Sequence, residues 1–109
     1  MERPTTLLAP DLDRDALLEP LRDLRPALVR AGITGMWLVG SRARGDNRAD
    51  SDIDLMVEID ETRKFSLLDL IGVKHIVEDA IGLPADMLMR RSLSPATAVS
   101  TTRDAIKVL

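Results

Sequence analysis

The sequence predicts an α/β (α+β) fold in which a short mixed sheet of about three strands is flanked by helices. Three observations support this prediction: a leucine periodicity near the start, short apolar segments of strand length, and a capped helical segment between the last two of them. The chain has 109 residues, enough for one domain of ordinary size and too few for two. We therefore expect residues 1–109 to form one domain.

The first predicted element is helical and covers residues 11–31. Two prolines interrupt it, and an interior proline costs a helix about 3 kcal/mol and one hydrogen bond. We therefore expect a kinked helix or two shorter helices, broken near Pro20 or Pro26 and stopped at Gly32. The apolar face that predicts them consists of leucines spaced by four, three and four residues: Leu17, Leu21, Leu24 and Leu28.

Three short segments are predicted as strands: residues 34–39, residues 52–59 and Ala85–Met89. The first is nearly continuously apolar, which is typical of a strand buried on both faces. In the second, strict alternation leaves one face apolar and places Asp52, Asp54, Met56 and Glu58 on the other. Met87 and Met89 in the third strand are expected to fill gaps in the core.

Capping signals predict two further helices. Ser66 and Asp69 have the spacing of a capping box, so a helix should run from there to a stop at Gly82. His75 falls on the polar face of this helix and is expected to be exposed. Ser94 followed by proline is typical of a helix start, so a last helix is predicted within residues 95–109.

Composition excludes several classes of function. The chain has no cysteine, which excludes disulfides, thiolate metal sites and a cysteine nucleophile, and makes the cytoplasm the expected compartment. A net charge of −3 lacks the basic excess of proteins that bind nucleic acid through its phosphates, so no direct nucleic-acid binding is expected. No segment approaches the roughly 20 apolar residues of a membrane span, and the start has no secretory signal.

The residues that carry chemistry lie between and after the predicted strands. Gly40 allows a tight turn and close approach of a phosphate, and Ser41 adds a hydroxyl at the start of a short helix. Asp52 and Asp54 lie two residues apart on a strand, so both carboxylates leave one face and can share hard divalent cations. Asp86 on the third strand can point to the same face, as a third metal ligand or a base.

Basic residues next to the turn leave two interpretations open. Arg42, Arg44 and Arg48 are either a solvated surface cluster or a set of cations that meets triphosphate oxygens. A lone Gly-Ser pair or a lone Asp-x-Asp pair is usually structural. Their combination, in the order turn and then strand, favours a phosphoryl-transfer site.

The sequence G-S-R-A-R-G at residues 40–45, followed by S-D-I-D-L at residues 51–55, resembles the G-S-x10-D-x-D signature of the DNA polymerase beta-like nucleotidyltransferases. It is most similar to the minimal nucleotidyltransferase (MNT) antitoxins, whose partner is a HEPN ribonuclease toxin. The resemblance implies Gly40, Ser41 and Arg42 on the nucleotide. It further implies two magnesium ions and catalytic acids at Asp52, Asp54 and Asp86.

The same resemblance implies an activity and a partner. A type VII-like HEPN/MNT antitoxin would transfer AMP from ATP to a tyrosine of its toxin in a magnesium-dependent reaction, and would form a hetero-oligomer with that toxin. This chain contains no tyrosine, so such an acceptor must lie on another molecule. Two alternatives remain open: an antitoxin that neutralises by binding alone, and a free-standing nucleotidyltransferase that acts on a small molecule.

Overall fold

The computed structural model of the protein describes residues 14–109. The predicted α/β class is confirmed, with four strands where about three were expected. In chain order the elements are α1 (Arg14–Asp23), α2 (Arg25–Arg30), β1 (Ile33–Val39), α3 (Gly40–Arg44), β2 (Ile53–Ile59), α4 (Leu67–Ile81), β3 (Ala85–Met89), a 3-10 turn (Arg90–Ser92), α5 (Pro95–Thr102) and β4 (Ile106–Lys107).

The four strands form one mixed sheet in the order β3-β2-β1-β4. β1 pairs antiparallel with both β2 and β4, whereas β2 and β3 run parallel. The register places Asp54 opposite Val39 on one side and opposite Asp86 on the other. The three predicted strands are confirmed to within one residue, and the sheet brings the acidic positions of β2 and β3 side by side.

The first helical segment divides in two, as predicted. α1 continues through Pro20, and the break falls at Leu24, just before α2. Pro26 lies in the first turn of α2, where the amide that proline lacks has no partner within the helix anyway. Residues 11–13 of the predicted helix lie outside the described part of the chain.

α4 begins and ends where its capping residues predict. The Ser66 amide donates to Asp69 Oδ2 at 2.7 Å, and the Asp69 amide donates to Ser66 Oγ at 3.3 Å, which completes the capping box. Gly82 ends the helix with a φ of 83°. Val73 and Val77 are buried in the core, and His75 is exposed, as predicted.

The end of the chain confirms a helix within residues 95–109 and adds a short strand that was not predicted. α5 starts as expected at Ser94, whose hydroxyl accepts from the Thr97 amide at 3.2 Å. After α5 the chain becomes extended and adds β4 beside β1, and the Val108 amide donates to the Met36 carbonyl at 2.8 Å. Burial of Val108 and Leu109 stabilises the extended form, which a helix would not allow at this position.

The two faces of the sheet differ in chemistry. One face packs on α1, α2 and α4 through the main core, which includes Leu38 and Leu55 at 0% exposure. Met87 and Met89 pack against this core, as predicted. Alternation along the strands turns Asp54 and Asp86 to the opposite face. Within residues 14–109, no helix combines the length and apolar character needed to cross a membrane.

Candidate active site

The turn between β1 and α3 is shaped around an aspartate. Gly40 has a φ of +75°, a conformation that residues other than glycine rarely adopt. A Cβ atom at Gly40 would lie 3.1 Å from Cγ and 3.2 Å from Cβ of Asp54, and would overlap its carboxylate. Glycine is therefore required here twice, for the turn and for the space that Asp54 occupies.

Three carboxylates lie near the starts of β2 and β3. Asp54 and Asp86 are register partners on the parallel strands β2 and β3, and Asp52 lies two residues before Asp54. Burial raises the pKa of the Asp54 carboxyl, and repulsion from Asp86 and then Asp52 raises it further, while Arg44 lowers it. The structure therefore pairs Asp54 with Asp86 across β2 and β3, as strand order predicts, and Asp52 lies just before β2.

The acids suit a cation that arrives with a ligand. Among residues 14–109, no three acidic or histidine side chains already surround a common point as a metal cage would. Magnesium, however, is usually held by one or two carboxylates together with substrate phosphates and water. Half-buried Asp54 beside exposed Asp86 supplies that kind of donor pair, and a cation between them would relieve their repulsion. The donor set therefore fits magnesium bound jointly with a triphosphate.

A cleft of about 220 Å³ opens beside Asp54. Three polar residues at the end of α5 and just after it form part of its wall, and no motif in the sequence identifies them. The residues lining the cleft are Val39, Gly40, Arg44, Asp54, Leu88, Ser100, Thr101 and Asp104. Arg44 is half-exposed and pairs with Asp46 at 3.1 Å. Because Arg44 also lines the cleft, one arginine of the predicted cluster faces the site.

The side chain of Arg42 contacts the protein's own backbone. Its side chain is 1% exposed, and its guanidinium donates to the carbonyls of Ala49 and Ser51 in the loop before β2. It does not line the cleft beside Asp54. Arg48 is exposed and also lies outside the cleft lining. The structure shows the guanidinium holding the loop, because buried N–H groups must find acceptors close by, and a contact between Arg42 and a nucleotide stays a prediction.

Comparison with known proteins agrees with this geometry. Residues 17–108 match the family model described as the nucleotidyltransferase domain. A chain of Methanocaldococcus jannaschii named as a protein adenylyltransferase is 34% identical over 88 residues, which cover 81% of this chain and 92% of that one. The chain belongs to the nucleotidyltransferase domain family.

One further relative and two solved structures are similar to this nucleotidyltransferase. The protein adenylyltransferase MntA of Thermococcus cleftensis is 33% identical over 79 residues, which cover 72% of this chain and 78% of that one. A solved minimal nucleotidyltransferase superposes with a TM-score of 0.75 at 33% identity, covering 87% of this chain and 95% of that one. A solved complex of a tri-AMPylated HEPN toxin with an MNT antitoxin from Shewanella oneidensis shares the fold at 15% identity and a TM-score of 0.59, covering 84% of this chain and 71% of the matched one.

The raised pKa of Asp54 predicts how the nucleotidyltransferase responds to pH without metal. The ionised carboxylate is less favourable in the folded protein than in the unfolded chain, so the parent gains stability as pH falls through the raised pKa toward about 4. We expect Asp54→Asn to be more stable than the parent at pH 7, with the difference shrinking over that window. Thermal melts in a chelating buffer measure it. Asp50→Asn, which changes an exposed acid in the loop before β2, is the control and should not reproduce the gain at pH 7. An Asp54→Asn variant less stable than the parent at every pH would contradict the prediction.

Proposed function

We propose that this nucleotidyltransferase is the antitoxin of a HEPN/MNT toxin–antitoxin pair. It transfers AMP from ATP to a tyrosine hydroxyl of its toxin, in a magnesium-dependent reaction, and so neutralises the toxin. The observation that carries the proposal is the position of Asp54, which lies between the glycine turn at Gly40 and its register partner Asp86. This arrangement gives a glycine turn and two carboxylates at the same end of neighbouring strands.

The turn and the acids divide the work. Gly40 lets the backbone approach the triphosphate, and α3 begins there, with the first amides of the helix directed toward a bound phosphate. Asp52 and Asp54 hold magnesium, and Asp86 either shares it or accepts a proton. Magnesium, when bound, neutralises phosphate charge and helps to align the attacking and leaving oxygens.

The transfer conserves every group. The acceptor hydroxyl oxygen forms a bond to the α-phosphorus of ATP, and the bond from that phosphorus to the oxygen bridging to the β-phosphate breaks. Pyrophosphate leaves with the bonding electron pair. Where Asp86 acts as the base, the hydroxyl proton passes to its carboxylate, which later releases it to water; where Asp86 shares the metal, the proton passes to water directly.

A protein acceptor fits both the chain and its relatives. The chain has no tyrosine, so it cannot be its own tyrosine acceptor. The relative from Thermococcus cleftensis is a protein adenylyltransferase, and the similar Shewanella oneidensis complex pairs an MNT antitoxin with an AMPylated HEPN toxin. The cleft of about 220 Å³ is small for a nucleotide and an acceptor together, and its open side leaves room for a partner to complete it.

Labelled ATP tests the proposal directly. We expect label from α-labelled ATP to appear on the toxin encoded beside this chain, only with magnesium, and to fall on a tyrosine by mass spectrometry. Light scattering should show a complex of the two proteins. Transfer of γ-label instead would mean phosphorylation and would contradict the mechanism.

Two controls separate the alternatives. Neutralisation of the toxin that survives Asp52→Ala and Asp54→Ala together would show an antitoxin acting by binding alone. Labelling of a small alcohol or aminoglycoside by the chain without any partner would show a free-standing enzyme. Loss of both labelling and neutralisation in the double variant is the result that the proposal requires.

A further inference from the structure

Arg42 is the one buried charged side chain among residues 14–109, with 1% exposure. Burying a guanidinium is costly unless its N–H groups find acceptors. Arginine normally remains at the surface, and the neighbouring Arg44 and Arg48 are exposed as expected. The burial of Arg42, only two residues from the glycine turn, therefore calls for a specific role.

The contacts of Arg42 indicate that role. Nε and Nη2 donate to the Ser51 carbonyl at 3.1 and 2.9 Å, and Nη2 also donates to the Ala49 carbonyl at 3.3 Å. The guanidinium thus binds the backbone one residue before Asp52. Because Arg42 belongs to α3, which Gly40 begins, one rigid side chain joins the helix of the phosphate-binding turn to the segment that carries the first acid.

The other contacts of the loop between these points are local. Residues 44–46 and 48–50 are exposed, and the hydrogen bonds within the loop join near neighbours in the chain, such as the Arg48 amide donating to Ser51 Oγ at 2.8 Å. Asp52 lies just outside β2, so ladder hydrogen bonds of the strand do not begin until Ile53. The position of Asp52 therefore depends on what holds Ser51.

We propose that Arg42 is a positioning residue, which sets Asp52 relative to the glycine turn and Asp54 for joint binding of magnesium and nucleotide. The inference rests on the proposed function, since it assumes that Asp52 is a magnesium ligand. The role is indirect, because Arg42 itself does not reach the cleft. A planar guanidinium that donates from two nitrogens is required, and the single ammonium of lysine cannot reproduce that geometry.

Arg42→Lys and Arg42→Gln test the proposal, with Arg14→Lys as the matched control. Arg14 also donates to a carbonyl of α3, from Nη1 to Ala43 at 3.0 Å, but does not touch the loop before Asp52. Calorimetry measures magnesium affinity in the presence of a non-hydrolysable ATP analogue, and hydrogen exchange measures the amides of residues 49–53. We expect both Arg42 variants to weaken magnesium binding about 10- to 100-fold and to speed exchange in residues 49–53. Lys should not restore the parent behaviour, and Arg14→Lys should keep parent magnesium affinity.

Each outcome of these measurements is decisive. Parent-like magnesium affinity and parent-like exchange in Arg42→Lys would overturn the proposal. The proposal would also be overturned if Arg14→Lys had the same melting temperature as Arg42→Lys and lost as much magnesium affinity. The loss would then follow from reduced stability in general. If the parent transfers no AMP while the Arg42 variants still weaken magnesium binding and loosen the loop, the positioning role stands and the proposed function fails. Neither readout requires turnover, so the two failures are distinguishable.

Discussion

Asp54→Asn should reduce AMP transfer to the toxin by about 10³-fold, equivalent to about 4 kcal/mol of transition-state stabilisation. Asparagine keeps the size of the side chain and its place against Gly40, but removes the negative charge to which we assign magnesium binding. Rates of transfer from α-labelled ATP, measured at saturating magnesium, give the effect. The same substitution is expected above to raise stability at pH 7, so its inactivity would not come from unfolding.

Ligand-dependent melting provides an independent check on Asp54→Asn. At about 100 times their joint dissociation constant, magnesium and ATP should stabilise the parent by roughly 2.7 kcal/mol, a rise in melting temperature on the order of 10 °C. The variant should gain little from the pair, whereas Asp50→Asn should gain as much as the parent. An equal rise in Asp54→Asn would place the ligands somewhere other than these acids.

Gly40→Ala should have the second-largest effect, a loss of transfer of about 10²-fold or more together with a loss of stability of about 1–2 kcal/mol. The loss of stability follows from the φ of +75°, which L-residues adopt only with strain. The larger loss of activity follows from the added methyl, which would displace the Asp54 carboxylate. Rates of transfer and chemical denaturation measure the two losses separately.

Gly45→Ala is the matched control for this prediction. Gly45 ends α3 with a φ of +86°, so alanine meets a similar conformational cost there, yet no atom lies within 4 Å of the added Cβ. Gly45→Ala should therefore lose stability and keep most of its transfer rate. Comparable losses of activity in both variants would show that the strain matters, and that the contact between Gly40 and Asp54 does not.

Local signals account for the parts of the fold that the sequence predicts well. Ser66 and Asp69 fix the start of α4 by hydrogen bonds between neighbours in the chain, and strand alternation fixes which face Asp54 occupies. β4 escapes such reasoning because a two-residue strand has no periodicity. Its existence depends on β1 offering the backbone of Met36 to Val108, a contact between distant parts of the chain.

The candidate site divides in the same way. Asp86 could be expected near Asp54 from strand order, since parallel neighbours bring equivalent positions together. Ser100, Thr101 and Asp104 could not be expected in the cleft, because only the tertiary position of α5 beside the second face brings them there. The burial of the Arg42 side chain could not be expected either, because its contacts depend on how the following loop folds back.

The parallel pairing of β2 with β3 has a consequence for the order in which the site is assembled during synthesis. Gly40 directly follows β1, which pairs antiparallel with the strand that holds Asp54, so the contact between the two residues closes a short loop. Asp86 joins them only after α4 has been made and has carried the chain back across the core. A nascent chain that has released only β1 and β2 from the ribosome therefore presents the turn and two acids without the third. The site gains its third acid only when β3 takes its place beside β2.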